Sequence, residues 1–145
     1  MTVLTQAFLL ANLTPKKNSA VFISWARDLR NLGVTVPIVP GIMPIQNWSS
    51  FIRRTSFAKT IIPKCFFDAL EPVKEDDSIV REVGTKLVVN MCKKILNADL
   101  GICGFHFYTM NLEKGTVMLL EQLGIAPSTD VANPLPWRPV RTTKF

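Results

Sequence analysis

The chain has 145 residues, is 48% apolar and carries a formal charge of +6 from 17 basic and 11 acidic residues. That length and apolar content suit one globular domain and exclude a disordered polyelectrolyte. No uninterrupted apolar run reaches the ~18 residues of a membrane-spanning helix. The basic pairs Lys16-Lys17, Arg53-Arg54 and Lys93-Lys94 are scattered and have no aromatic platform between them. They read as solvated helix faces and not as a nucleic-acid site, and neither nucleic acid nor membrane is expected as a partner.

The first expected strand is Val3 to Thr5, ending at Gln6. The apolar stretch around it lacks the basic start of a secretory signal and reads as part of the fold. Residues 7 to 17 read as irregular. A helix follows from Ser19, with Phe22, Trp25, Leu29 and Leu32 at helical spacing and Gly33 as its stop. Val36 to Val39 reads as a buried strand. Pro40, Gly41 and Pro44 punctuate the loop after it. Trp48 to Phe57 is expected to be helical, with Trp48, Phe51 and Ile52 on one side, and a short helix with Phe66, Phe67 and Leu70 should start at Pro63.

The clearest helix runs from Asp76 to Asn97. Ile79, Val83, Leu87, Met91 and Ile95 recur every four residues, and Asp76 and Asp77 suit its positive end. Gly101 to Phe107 reads as a buried strand. The last helix is expected to be capped by Asn111, to turn Val117, Leu120 and Leu123 inward and to stop at Gly124. Four prolines from Pro127 onward make residues 127–145 an extended, linker-like tail after a folded unit of 1–126. The cysteines Cys65, Cys92 and Cys103 are odd in number and widely spaced, which argues against a disulfide framework or a zinc site and suits a cytoplasmic, reducing setting.

Strands alternating with helices predict an α/β fold with a parallel sheet. A sheet of three parallel strands is narrow and leaves its edges open. In such folds ligands bind at the carboxyl ends of the strands. Three groups fall there: Thr5-Gln6, the loop from Gly41 to Ser50, and Tyr108 to Leu112. They contain no acid, base and nucleophile set, and the chain has no glycine-rich nucleotide fingerprint. Gln6 either pairs with a donor–acceptor heterocycle or bonds the backbone at a strand end. Asn47 and Ser50 either meet a ligand or cap the next helix. His106, the sole histidine, shares a strand face with Tyr108. Tyr108 either closes over a planar ring or fills the mouth of the fold. Asp76-Asp77 reads as a helix start and not as a metal site.

Two motifs carry a resemblance. Pro37-Ile38-Val39-Pro40-Gly41-Ile42-Met43-Pro44-Ile45 and His106-Phe107-Tyr108-Thr109-Met110-Asn111-Leu112-Glu113-Lys114 are similar to the seventh and eighth strand-to-helix junctions of the methylenetetrahydrofolate reductases, especially the fungal and plant branch. Val3-Leu4-Thr5-Gln6 resembles the sixth strand, and Leu135-Pro136-Trp137-Arg138 the run that leads out of the barrel. The resemblance implies a partial (β/α)8 TIM barrel, about its last three βα units, followed by the tail.

It also implies an oxidoreductase that uses FAD, with NADPH or NADH as hydride donor, to reduce 5,10-methylenetetrahydrofolate to 5-methyltetrahydrofolate. Carried over residue by residue, Gln6 contacts folate and the nicotinamide cofactor, and Ser50 is a further substrate contact. Tyr108 lies on the substrate side. Leu112 stands where bacterial and animal members have a folate-binding arginine. No catalytic residue maps onto the chain, because the family's catalytic glutamate belongs to the first strand. The residues after Gln6, Ala7 to Asn12, depart from the family's aromatic and acidic run. The implied partners are the folate substrate and either further copies of the chain or a full-length reductase. An incomplete barrel would be marginally stable alone.

Overall fold

A computed structural model describes residues 9–13, 19–57 and 64–126. The expected strand at Val3 to Thr5, Gln6, the loop at 14–17, Pro63 and the tail from 127 onward lie outside these residues.

The order is β1 (Leu9–Leu13), α1 (Ser19–Asn31), β2 (Ile38–Ile42), α2 (Trp48–Phe57), α3 (Lys64–Leu70), a 3-10 turn at Glu71–Val73, α4 (Asp77–Leu96), β3 (His106–Phe107) and α5 (Lys114–Gln122). The strands form one sheet in the order β1-β2-β3. Both pairings are parallel, with Leu9 opposite Ile38 and Gly41 opposite His106. The α/β class with a parallel sheet is therefore as the sequence predicts. Three boundaries are corrected. The strand expected at Val36 to Val39 runs instead over Ile38–Ile42, so Pro40 and Gly41, read as loop, belong to β2 and pair in the sheet. Residues 9–13, read as irregular, pair with β2 along its whole length. Of the run from Gly101 to Phe107, only His106 and Phe107 are strand.

The core lies on the helix side of the sheet. Ile38 and Ile42 of β2 pack there with Phe22 and Ala26 of α1, Phe51 of α2, Leu70 of α3, Leu119 of α5 and the inner face of α4. Helix α4 is central and packs against α1, α3 and α5. Its buried stripe is Val80, Gly84, Val88, Cys92 and Ile95. The row at every fourth residue lies beside this stripe: Ile95 is fully buried, Val83, Leu87 and Met91 are half-buried against the core, and Ile79 is 44% exposed. A spacing of four overshoots the helical turn by about 40° per step, so such a row winds off the buried face. Leu32 lies past the end of α1, in the turn before Gly33, and is 80% exposed.

The helix ends follow local chemistry. Asp76 caps α4, its carboxylate accepting from the Ser78 and Ile79 amides at 2.8 and 3.1 Å, a contact of the kind Ser, Thr, Asp and Asn make at helix starts. At the end of α1, Gly33 has a φ of +85°. Its N–H donates to the Arg30 carbonyl and that of Val34 donates to Leu29, which is the paired glycine stop. Gly124 ends α5 in the same way, with Ile125 donating to Leu120.

Arg30 ties the opposite end of the sheet together. Its guanidinium donates to the carbonyls of Val34 and Val36, ahead of β2, and of Leu100, ahead of β3.

Candidate functional site

Two loops leave the carboxyl ends of β2 and β3. The first, residues 43–47, is packed into the protein: Pro44, Ile45 and Gln46 are buried. The second, residues 108–113, is half-buried at its start and exposed from Met110 onward. Met110 and Asn111 both take the left-handed region, with φ of 52° and 62°. Asparagine tolerates that region through its short polar side chain, whereas methionine is strained there.

Tyr108 is anchored at the sheet, its N–H donating to the Ile42 carbonyl at 2.8 Å. Its ring lies against Gly41: a Cβ on Gly41 would fall 2.6 Å from Tyr108 Cε2. Gly41 is thus required for close approach of the ring. His106 packs edge-on to Tyr108 with ring centroids 4.7 Å apart. Gly41, His106 and Tyr108 therefore share the face of the sheet opposite the helical core.

Gln46 is the polar centre that links the two loops. It is 4% exposed. Its Nε2 donates to the Leu112 carbonyl at 3.1 Å, and its Oε1 accepts from the Gly115 N–H and from Arg81 Nε, each at 3.3 Å. The amide thus supplies both a donor and an acceptor, and it satisfies the buried Gly115 N–H, which would otherwise go unpaired. Two glycines make the contact possible. A Cβ on Gly84 would sit 2.7 Å from Ile45 Cβ, and one on Gly115 would sit 2.7 Å from Gln46 Nε2. The first brings α4 against the loop one turn after Arg81, and the second brings the start of α5 onto Gln46.

This corrects the expected cap at Asn111. Helix α5 starts at Lys114, and Glu113 at its cap position makes no side-chain cap bond. The Gly115 amide of the first turn is satisfied by Gln46 Oε1 from the other loop. The inward face of α5 is also shifted, to Gly115, Thr116 and Leu119. Val117, Leu120 and Leu123 are half-buried beside it.

Between the loops opens a cleft of about 450 Å³, lined by Gln46, Asn47, Arg81, Asn111, Leu112, Glu113 and Lys114. Of the expected site residues, Leu112 lines this cleft and is 42% exposed. Ser50 is buried in the first turn of α2. Its N–H donates to Asn47 Oδ1 at 2.8 Å and its hydroxyl to the Asn47 carbonyl at 3.3 Å. Asn47 thus caps α2, and Ser50 is engaged in that cap. Tyr108 stands at the sheet end, and Gln6 lies outside the described residues.

Gln46, Arg81, Gly84 and Gly115 were not singled out from the sequence. Gly84 and Gly115 inside helical patterns were the available signal, since an interior helix glycine often marks a close approach.

A parallel α/β unit with a polar cleft at the carboxyl ends of its strands places the chain among the α/β proteins whose strand ends carry their clefts. The sequence profile of the family described as Methylenetetrahydrofolate reductase matches residues 17–124, and the chain belongs to that family. It is 50% identical over 117 residues to methylenetetrahydrofolate reductase 1 of Schizosaccharomyces pombe, covering 77% of this chain and 19% of the relative. It is 44% identical over 122 residues to methylenetetrahydrofolate reductase 2 of Saccharomyces cerevisiae, covering 81% of this chain and 20% of the relative. With methylenetetrahydrofolate reductase (NADH) 1 of Zea mays the figures are 45% over 119 residues, 82% and 20%. The chain spans about a fifth of the length of these curated relatives. Among the described residues no helix is long and apolar enough to cross a membrane.

Proposed function

We propose that the chain supplies the last three βα units of a methylenetetrahydrofolate reductase (β/α)8 barrel, with residues 1–126 as barrel and 127–145 as linker. The activity it serves is the reduction of 5,10-methylenetetrahydrofolate to 5-methyltetrahydrofolate with FAD and NADPH or NADH. The observation that carries this reading is the pair of matched loops held in register by Gln46 at the carboxyl ends of β2 and β3. Gln6, Ser50, Tyr108 and Leu112 are its proposed substrate contacts, and Gln6 its nicotinamide contact. Tyr108 offers a ring backed by Gly41.

The described residues do not by themselves fit an FAD. A dinucleotide needs separate places for its ring system, diphosphate and adenosine. The cleft between the two loops is about 450 Å³, and the Tyr108 ring face is partly taken by His106 packed edge-on. No redox step is therefore assigned to these residues, and the isolated chain is proposed to be inactive. Mixing the purified chain with FAD, removing the excess and recording the visible spectrum tests this. A colourless protein is expected, and a retained flavin spectrum would overturn the claim of an incomplete site.

One observation favours a second reading, a truncated paralogue that binds a full-length reductase. The sheet face opposite the core has no helix over it among the described residues, and His106 on it is exposed. Co-purification of the chain with a full-length reductase supports this reading, and failure to co-purify at matched expression counts against it.

A further inference from the structure

We infer that Ser56 is a phosphorylation site for a serine kinase that reads arginines. The pair Arg53-Arg54 lies in α2, three and two residues before Ser56 in the run Arg53-Arg54-Thr55-Ser56-Phe57, and takes no part in the cleft. Kinases of this kind bind the substrate segment extended and engage its arginines with carboxylates. At about 3.3 Å per residue, an arginine three positions back lies roughly 10 Å from the accepting hydroxyl. Helix α2 has no acidic residue, and among the described residues the salt bridge is Lys86 to Glu82. Both guanidinium groups thus stay available to a partner's carboxylates.

The surroundings select the acceptor. Thr55 is 2% exposed, and its hydroxyl donates to the Phe51 and Ile52 carbonyls at 2.8 and 2.9 Å. Ser56 beside it is exposed, as is Arg53, while Arg54 is half-buried. The same spacing occurs in Lys16-Lys17-Asn18-Ser19, but Ser19 is buried where α1 starts. Ser56 is the penultimate residue of α2. The segment therefore becomes extended by opening one helix end, and helix ends open at small free-energy cost. In the reaction the Ser56 oxygen attacks the γ-phosphorus of ATP. The new O–P bond forms as the bond to the bridging oxygen breaks, ADP leaves, and the hydroxyl proton passes to the base of the kinase. The phosphoserine carries about −1.5 to −2 charge. It stands at the negative end of α2, and Arg53, one turn earlier on the same side, offsets the repulsion.

The full chain, kept folded as judged by circular dichroism, is incubated with magnesium ATP and the catalytic subunit of cyclic-AMP-dependent protein kinase. The phosphate is then located by mass spectrometry. One phosphate on Ser56 is expected, and it should be lost in Ser56→Ala, a change at an exposed position. Arg53→Gln, also exposed, should lower kcat/KM for the kinase about tenfold, the loss of one charge-assisted contact. A synthetic peptide of residues 50–58 reports recognition without the fold. Modification of the peptide but not of the folded chain overturns the site, because α2 then does not open to the kinase. Failure of both overturns the recognition itself. Phosphate elsewhere with none on Ser56, or equal rates for wild type and Arg53→Gln, overturns it as well.

Discussion

The two strand-to-helix junctions have the same plan and opposite physical character. After β2 the chain turns inward: Ile45 and Gln46 are buried, and Asn47 caps α2. After β3 it turns outward: Met110 is 64% exposed, and two successive residues sit in the left-handed region. The first junction is framework, fixed by packing against Gly84 and by hydrogen bonds. The second borrows its order from the first, because Gln46 holds Leu112 and the first turn of α5. A ligand-facing loop can thus be exposed and strained when a buried neighbour holds it in place.

The strongest way to break this contrast is Gln46→Leu. It strips partners from the Leu112 carbonyl, the Gly115 amide and Arg81 together. The expected loss is about 2–3 kcal/mol in urea unfolding, since unpaired buried polar groups carry their full desolvation cost. Leu112→Ala, on the exposed junction, should change stability by less than about 0.5 kcal/mol. Equal effects from the two variants would mean that the second junction does not depend on the first.

Next in size is Gly84→Ala. The added methyl would meet the branched Cβ of Ile45 at 2.7 Å, an atom close to the backbone that cannot swing aside. Overpacking of this kind costs about 1–3 kcal/mol. The matched variant Gly41→Ala meets the ring of Tyr108, a side chain that can rotate away. It should shift the Tyr108 resonances in an NMR spectrum while leaving the urea midpoint nearly unchanged.

Much of this architecture was legible in the sequence, and the failures have physical causes. The parallel α/β class, the glycine stops at Gly33 and Gly124 and the Asp76 cap depend on local chemistry, and local chemistry is readable. The row at every fourth residue marks α4 as a helix but winds about it, so it does not trace the most buried face. The start of α5 was misplaced because its first turn is capped from a loop 69 residues earlier, which no local pattern reports. Residues 9–13 look irregular alone and become a strand only through pairing with β2. Of the expected site residues, Leu112 lines the cleft while Ser50 is engaged in the cap of α2, and the buried centre at Gln46 and Arg81 emerges only when α4 and both loops are brought together.

The cysteines give a chemical readout of the same contrast. Burial pushes the Cys92 thiol on α4 from 9.0 up to about 12, whereas Cys103, ahead of the exposed junction, and Cys65 lie at the surface. The thiolate is the reactive form, so Cys92 should resist iodoacetamide at pH 8 while the other two react. Mass spectrometry should find two adducts on the folded chain and a third in urea. The raised value also has a sign for stability. Its contribution is fully present below the unfolded value near 9 and is lost as pH rises toward about 12, because the unfolded chain releases this proton first.

The smallest expected effect bears most directly on the exposed junction. Methionine in the left-handed region costs roughly 1–2 kcal/mol, and glycine would remove that cost while adding about 0.5–1 kcal/mol of chain entropy to the unfolded state. Met110→Gly should therefore stabilise the chain slightly, by about 0.5 kcal/mol in urea unfolding. Asn111→Gly should be neutral or slightly destabilising, since asparagine already tolerates the conformation. If Met110→Gly instead destabilises the chain, the methionine side chain holds the loop through packing, and the strain at Met110 is not the property that separates this junction from its partner.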